Sequence, residues 1–130
     1  MSVSPNYDVR PTSSPIDMLV IHYTGMQSAE AALDRLCDPR AKVSAHYFID
    51  EDGAVASLVD EGKRAWHAGV ASWRGEKDIN ARSIGVELVN PGHQYGYRNF
   101  TEVQMTALID LVLGVLSRHP IPARNVVGHS

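Results

Sequence analysis

Two short apolar runs decide the fold of this chain: residues 17–24 with the sequence DMLVIHYT and residues 83–89 with the sequence SIGVELV. Both are rich in β-branched side chains, which favours strands. The first run is too continuous for a strand with one wet face. We therefore expect it in the middle of a sheet covered on both sides, with His22 on a central strand. In the second run Glu87 interrupts a strand whose opposite face is wholly apolar.

Helical patterns lie between and after these runs. Residues 28–37 carry apolar side chains at helical spacing, with Ser28 as the N-cap. Thr101 and Gln104 form a capping box that opens a longer helix. The inward stripe of that helix consists of Leu108, Leu111, Val112, Val115 and Leu116.

Two further strand signals complete the pattern. Residues 46–50 and 55–59 flank an Asp-Gly pair and predict an antiparallel hairpin. Residues 125–130 close the chain as a short strand that ends in His129. Strands separated by helices, with one hairpin, predict the α/β class: a single domain with a mixed central β-sheet flanked by helices.

The sequence also predicts an N-terminal arm and one long irregular loop. Residues 1–15 carry three prolines and few apolar side chains, which predicts an N-terminal arm laid over a domain of residues 16–130. Periodicity vanishes between residues 60 and 82, where Gly, Trp, His and Asn accumulate. We therefore expect a long irregular segment there, of the kind that is usually functional when ordered.

Composition excludes several classes of function. The chain has 130 residues, 44% of them hydrophobic and 21% charged, which is typical of one soluble domain. Its net charge is −3, without the basic stripe that nucleic acid requires. No apolar run approaches the roughly 20 residues that cross a bilayer, and the N-terminus does not resemble a signal peptide. We therefore expect a cytoplasmic protein without nucleic acid or membrane anchor, unless an upstream segment directs it to the cell envelope.

Histidines are the first candidates for chemistry. The chain has six, and no pair has the spacing of a helical metal motif. His22 and His129 are the best candidate ligands, because each interrupts or ends a strand, where a rigid sheet can hold side chains toward a cleft. The alternative is that both are polar side chains satisfied by neighbouring backbone groups.

Glu87 is the second candidate, since it is a carboxylate among Ile, Val and Leu. Burial would disfavour its charged form and raise its pKa toward the range useful for a general base. The alternative is a glutamate that faces solvent at a sheet edge.

The irregular segment carries an aromatic and polar cluster of Arg64, Trp66, His67 and Asn80. A flat ring beside cationic and amide groups suits a sugar-peptide that carries carboxylates. The alternative is a tryptophan that pins the loop to the core. No phosphate-binding glycine loop and no G-x-S-x-G turn occurs, so nucleotide binding and serine hydrolysis have no support.

Five motifs then follow one another along the chain. They are IHYT at 21–24, VSAH at 43–46, RAWHAG at 64–69, Asn80 with SIGVEL at 83–88, and VGHS at 127–130. In this order the chain resembles zinc-dependent N-acetylmuramoyl-L-alanine amidases, whose fold also includes the peptidoglycan recognition proteins. The resemblance covers residues 16–130.

The resemblance implies a Zn²⁺ cofactor bound by His22 and His129, with Glu87 as the catalytic residue that transfers protons. Ala45 stands where some members of the family carry a tyrosine, which points to the branch that relies on the strand glutamate. From the same motifs we expect substrate contacts at Tyr23, Arg64, Trp66, His67 and Asn80.

One departure from the family concerns the third metal ligand, an aspartate or a cysteine that follows the second histidine, with a catalytic lysine nearby. This chain ends at Ser130, directly after His129. It therefore resembles a domain truncated at its C-terminal end. Because catalytic zinc sites normally use three protein ligands, we expect this chain to bind the metal poorly, and inactivity of the 130-residue chain itself stays an open alternative.

The resulting hypothesis is zinc-dependent hydrolysis of the amide between N-acetylmuramic acid and L-alanine in peptidoglycan or muropeptides, during cell-wall degradation or recycling. One alternative is a non-catalytic module that binds peptidoglycan or muropeptides. Another is a zinc hydrolase that acts on a different amide.

Overall fold

A mixed β-sheet with helices on its two faces organises this chain. In chain order the strands are β1 (Tyr7–Val9), β2 (Met18–Tyr23), β3 (Tyr47–Ile49), β4 (Val55–Ser57), β5 (Lys63–Ala65), β6 (Ser72–Trp73), β7 (Glu76–Lys77), β8 (Ser83–Leu88) and β9 (Val126–His129). The helices are α1 (Ala29–Leu36), α2 (Ile79–Arg82) and α3 (Glu102–Arg118), and a short 3-10 turn spans Ala123–Asn125.

The structure is a computed structural model that describes residues 3–11, 15–26, 28–67, 72–73, 76–77, 79–90 and 100–129. Parts of two motifs, residues 68–69 and Ser130, lie outside the described residues. Among the helices so described, none combines the length and the apolar character that crossing a bilayer requires.

The central sheet has the strand order β4-β3-β8-β2-β9. β2 lies between β8 and β9 and runs parallel to both. β3 runs parallel to β8 and forms the predicted antiparallel hairpin with β4. The α/β class with a mixed sheet is therefore confirmed, and β2 is an interior strand as its continuous apolar sequence predicted.

Each face of the sheet packs against one of the longer helices. On one face the apolar side chains of β8 meet α3, where Leu108 and Val115 are buried. The other members of the predicted stripe, Leu111, Val112 and Leu116, are partly buried in the same cluster. On the opposite face Phe48 packs with Ala32 and Leu36 of α1.

Both longer helices begin at the predicted caps. The Ser28 hydroxyl accepts a hydrogen bond from the Ala31 N–H at 3.1 Å, and the Thr101 hydroxyl accepts one from the Gln104 N–H at 3.1 Å. The reciprocal half of the capping box is absent. The fully buried Gln104 amide instead donates to the carbonyls of Ile49 and Val89, both at 3.1 Å, because these buried acceptors also need partners.

Residues 60–82 are more regular than the sequence predicted. They contain α2 and β5 as well as the short β6–β7 ladder. β5 reads Lys-Arg-Ala and has no strand alternation. It forms because β1, at the far N-terminal end, pairs with it antiparallel, and a contact this distant leaves no local pattern.

The N-terminal arm is tied into the fold by buried polar side chains. Ser4 is 1% exposed and Asn6 is 2% exposed. The Arg10 guanidinium donates to the carbonyls of Asn80, Ala81 and Ser83 at 2.8 to 3.2 Å, and burial lowers its pKa to about 10. Arg10 thereby satisfies carbonyls at the C-terminal end of α2, the helix that leads into β8.

Candidate active site

Three predicted site residues lie in one row near the carboxyl ends of adjacent strands. The register pairs His22 of β2 with Glu87 of β8 on one side and with His129 of β9 on the other. Because the three strands are parallel, their carboxyl ends meet at the same edge of the sheet, where α/β folds place their ligands. The described part of His129 is its backbone, and its side chain lies outside the described residues.

His22 and Glu87 line a common cavity of about 130 Å³, together with Tyr23, Ser44 and His67. The His22 side chain is buried. Burial also raises the pKa of Glu87 to about 8. Glu87 therefore does not face solvent, as the alternative interpretation would require. Its carboxyl group can hold or release a proton near neutral pH.

His67 enters this site from the segment after β5. Its Nδ1 lies 3.0 Å from Nε2 of His22, and its Nε2 lies 2.8 Å from the Ser83 hydroxyl. The His67 N–H donates to the Asn80 side-chain oxygen at 3.1 Å. Of two predicted substrate contacts, His67 is thus brought next to His22, and Asn80 holds the His67 backbone.

Gly85 makes the close approach of His67 to the sheet possible. A Cβ atom on Gly85 would lie 2.4 Å from Cγ of His67, well inside van der Waals contact. The Gly85 N–H also donates to Nδ1 of His46 at 3.0 Å. Gly85 therefore holds one imidazole by its backbone and leaves room for another above it.

Arg64 and Trp66 contact the N-terminal strand. The Arg64 guanidinium forms a bidentate ion pair with Asp8 of β1, at 2.6 and 2.5 Å. The pKa of Asp8 is lowered mainly by the Arg64 hydrogen bond and also by one from the Trp66 side chain. The structure therefore places both residues beside Asp8, and their predicted role in substrate binding stays a prediction.

Tyr23 stands at the end of β2 between two cavities. Besides the cavity that holds His22 and Glu87, it lines an apolar cavity of about 420 Å³ on the α3 side of the sheet. That second cavity is also lined by His22, Ile21, Leu88, Phe100, Met105, Leu108 and Gly128. Tyr23 thus borders both cavities, and its predicted role in substrate binding stays a prediction.

Residues 12–130 match the family model of N-acetylmuramoyl-L-alanine amidases. The chain belongs to this amidase family. Its members are hydrolases that act on an amide bond.

Individual amidases agree with the family assignment. The chain is 33% identical over 143 residues to the 1,6-anhydro-N-acetylmuramyl-L-alanine amidase AmpD of Citrobacter freundii, covering 97% of this chain and 74% of AmpD. A crystal structure of a selenomethionine AmpD derivative superposes with a TM-score of 0.83 at 32% identity, covering 97% of this chain and 78% of that one.

A second type of amidase is similarly related. The Escherichia coli amidase AmiD, in complex with the substrate anhydro-N-acetylmuramic acid-L-Ala-D-γ-Glu-L-Lys, superposes with a TM-score of 0.79 at 35% identity. This alignment covers 91% of our chain and 50% of AmiD, so the chain spans about half the length of that relative.

The two histidines in the row, His22 and His129, are residue types that fit a zinc ion. Imidazole nitrogens are preferred zinc ligands, and the register brings two histidines side by side on rigid neighbouring strands. Within the described ranges no group of three His, Cys, Asp or Glu side chains converges on one point. The side chain of His129 lies outside the described residues, and His22 and His129 stay the predicted ligands.

Sequence reasoning missed the residues that support the row. His46 is fully buried, with Nδ1 accepting from Gly85 and Nε2 lying 2.8 Å from the Lys63 carbonyl, and burial lowers its pKa to about 4. Ser83 acts through Ile79 and His67, and Asp8 acts through Arg64, which is far along the chain. His46 was visible within the VSAH motif and Ser83 opened the SIGVEL motif, whereas Asp8 carried no signal of its own.

Proposed function

We propose that this chain hydrolyses the amide bond between N-acetylmuramic acid and L-alanine in muropeptides, with a zinc ion bound by His22 and His129. The observation that carries the proposal is the strand register, which pairs His22 with an acid on one side and with a second histidine on the other. Family membership supplies the reaction class, and the row supplies two candidate metal ligands and an acid for proton transfer.

The substrate class is inferred from the relatives. AmpD is a 1,6-anhydro-N-acetylmuramyl-L-alanine amidase, and AmiD binds an anhydro-muramyl tripeptide. We therefore expect this chain to prefer an anhydro-muropeptide, a soluble wall fragment, over intact peptidoglycan. This preference corresponds to a role in muropeptide recycling.

The chemistry divides between the metal and the protein. Zinc, when bound, polarises a carbonyl and lowers the pKa of a coordinated water to about 7. Glu87 accepts the proton of the attacking water at its carboxylate and returns it to the amine nitrogen of L-alanine as the amide C–N bond breaks. A nearby cation would lower the pKa of Glu87, so its carboxylate form would be populated when the site is loaded.

The residues around Glu87 have supporting roles. Burial of the Glu87 carboxyl strengthens its interaction with a developing charge. Tyr23 borders the cavity, which supports a contact with the sugar or the peptide next to the scissile bond. Arg64 and Trp66, both held by Asp8, offer a cation and a flat ring to the stem peptide.

Incubation of the chain with anhydro-N-acetylmuramyl-L-Ala-D-γ-Glu-L-Lys tests the proposal. We expect chromatography to detect the free tripeptide, the signal to disappear with a chelator, and zinc to restore it. His22→Ala should abolish release, whereas His119→Gln, which removes an imidazole outside the row, should not. Binding of the muropeptide without release would instead support a non-catalytic binding module, and equal cleavage of unrelated N-acyl alanine peptides would support a less specific amidase.

A further inference from the structure

A chain of hydrogen bonds runs from a helix carbonyl to the proposed metal ligand. The Ser83 hydroxyl donates to the Ile79 carbonyl at 2.7 Å. Nε2 of His67 lies 2.8 Å from the same hydroxyl, and Nδ1 of His67 lies 3.0 Å from Nε2 of His22. Ser83 is fully buried, so this series of hydrogen bonds begins inside the protein.

The direction of each bond follows from the number of protons available. A carbonyl oxygen only accepts, so the single hydroxyl proton of Ser83 is used on Ile79. The Ser83 oxygen must then accept from His67, which places the His67 proton on Nε2. In a neutral imidazole the other nitrogen is the acceptor, so Nδ1 of His67 accepts from the N–H at Nε2 of His22. The lone pair of His22 then lies on Nδ1.

We propose that His67 is a positioning residue that, together with Ser83, fixes His22 as the Nε2–H tautomer and so presents Nδ1 to the metal. The proposal rests on the proposed function, in which His22 is a zinc ligand. A hydrogen-bonded partner on the far nitrogen is the usual way in which proteins orient a metal-binding histidine. Here that partner is a second imidazole rather than a carboxylate, which orients His22 without adding a negative charge beside the metal.

Two features hold His67 in place for this role. Its backbone N–H donates to the Asn80 side chain on α2, while its ring reaches Ser83 directly after α2. Its ring also lies against Gly85, where a Cβ would clash at 2.4 Å. The His22 and His67 rings meet edge to face, with centroids 5.2 Å apart and planes at 66°. His67 is therefore fixed through its backbone, one ring nitrogen and one ring face.

Nitrogen-15 NMR of the metal-free protein tests the tautomer directly. Long-range proton–nitrogen correlations distinguish a ring protonated at Nε2 from one protonated at Nδ1. We expect both His22 and His67 to be protonated at Nε2 in the wild-type chain. In Ser83→Ala, which removes the acceptor, we expect His67 and His22 to lose this single tautomer. A wild-type His22 protonated at Nδ1 would overturn the proposal.

Zinc affinity, measured by competition with a chromophoric chelator, tests the consequence. His67→Phe keeps the ring shape but removes both nitrogens, and we expect it to weaken zinc binding by about 10- to 100-fold. His67→Asn keeps an acceptor near the Nδ1 position and should recover part of this loss. Ser83→Ala should weaken binding less than His67→Phe. Ser117→Ala is its matched control, because the exposed Ser117 hydroxyl also donates to a helix carbonyl, that of Gly114 at 2.6 Å.

The outcomes separate this proposal from the proposed function. If wild type binds zinc and His67→Phe binds it equally well, with the same absorption spectrum for cobalt in place of zinc, the positioning role is wrong and the zinc site stands. If wild type binds no zinc while His22 is protonated at Nε2, the metal site fails, and the hydrogen-bond chain has only a structural role. Thermal unfolding of each variant shows whether it is folded. If His67→Phe is unfolded, the Ser83→Ala variant still provides the test.

Discussion

Two glutamates in this amidase domain are both partly shielded from water, yet their surroundings drive their protonation in opposite directions. Burial raises the pKa of Glu87 to about 8. Burial would also raise the pKa of Glu61, but hydrogen bonds from Arg118, Tyr47 and His119 outweigh it and lower the pKa to about 2. We call the latter group the Glu61 cluster: Tyr47, Glu61, Arg118 and His119.

The difference shows how one side chain type serves two purposes. In the Glu61 cluster the carboxylate receives two bonds from Arg118, at 3.1 and 2.6 Å, and its Oε1 lies 2.7 Å from Nε2 of His119. Such a carboxylate is a permanent anion that ties the end of α3 to the loop after β4. Glu87 is desolvated within a cavity beside His22, so its proton can be exchanged at neutral pH. The comparison predicts that Glu87 serves activity at the expense of stability, and that Glu61 does the reverse.

The largest expected effect is that of Glu87→Gln on turnover. The amide keeps the size of the side chain but cannot accept the proton of the attacking water. General acid–base groups contribute about 10²- to 10⁴-fold to rate, and we expect a loss of release of the stem peptide in that range. Product chromatography with the anhydro-muramyl tripeptide measures it. Glu61→Gln is the matched control and should keep most of the activity, and retained turnover in Glu87→Gln would assign the proton transfer to another group.

The pH dependence of stability should differ in sign between the two glutamates. The folded-state pKa of Glu87, about 8, lies above its ordinary value of 4.5. Its contribution to stability is therefore complete below pH 4.5 and is lost as the pH rises through 8. In chelator-treated protein we expect Glu87→Gln to gain stability over wild type across this range, by about 3 to 5 kcal/mol at the upper end.

Denaturant unfolding of both proteins at several pH values between 4.5 and 9 measures this gain. Addition of zinc should reduce the gain, because a bound cation stabilises the carboxylate of Glu87 in the wild-type chain. A stability difference that does not change with pH would mean that Glu87 is solvated in the folded protein, and the contrast with Glu61 would then disappear.

Gly85→Ala tests whether the supporting structure of the site is as tight as the geometry indicates. The new methyl group would meet the His67 ring at 2.4 Å, and the strand beneath it is fixed by neighbours on both sides. Overpacking of this kind costs about 1 to 3 kcal/mol, and we expect a loss of stability near the upper end with displacement of His67. Gly62→Ala is the control, because a Cβ at Gly62 would have no neighbour within 4 Å. Equal stability of the two variants would show that His67 moves aside without cost.

The contrast between the two glutamates also shows what sequence could reveal. Glu87 was identified because an acid interrupts an apolar strand, and a period of two residues identifies such a position without any knowledge of its neighbours. The partners of Glu61 are Tyr47 on β3 and two residues at the end of α3, brought together only by packing. The same limit applies to β5, Ser83 and Asp8, whose partners lie on other elements. The row of His22, Glu87 and His129 was predicted from family motifs, but its register required the sheet.

The smallest expected effect is on the stability of Glu61→Gln. The folded-state pKa of Glu61, about 2, lies below its ordinary value of 4.5, so its contribution is present above pH 4.5 and is lost as the pH falls toward 2. Because Arg118 is largely exposed and water screens the pair, we expect a loss of only about 1 to 2 kcal/mol at pH 7, which disappears near pH 2. Denaturant unfolding at pH 7, 4 and 2.5 measures it, with Asp110→Asn, on the exposed side of α3, as the control. If Glu61→Gln instead abolished peptide release and left stability unchanged, the roles predicted for the two glutamates would be wrong. The paired carboxylate of Glu61 would then be the one needed for activity.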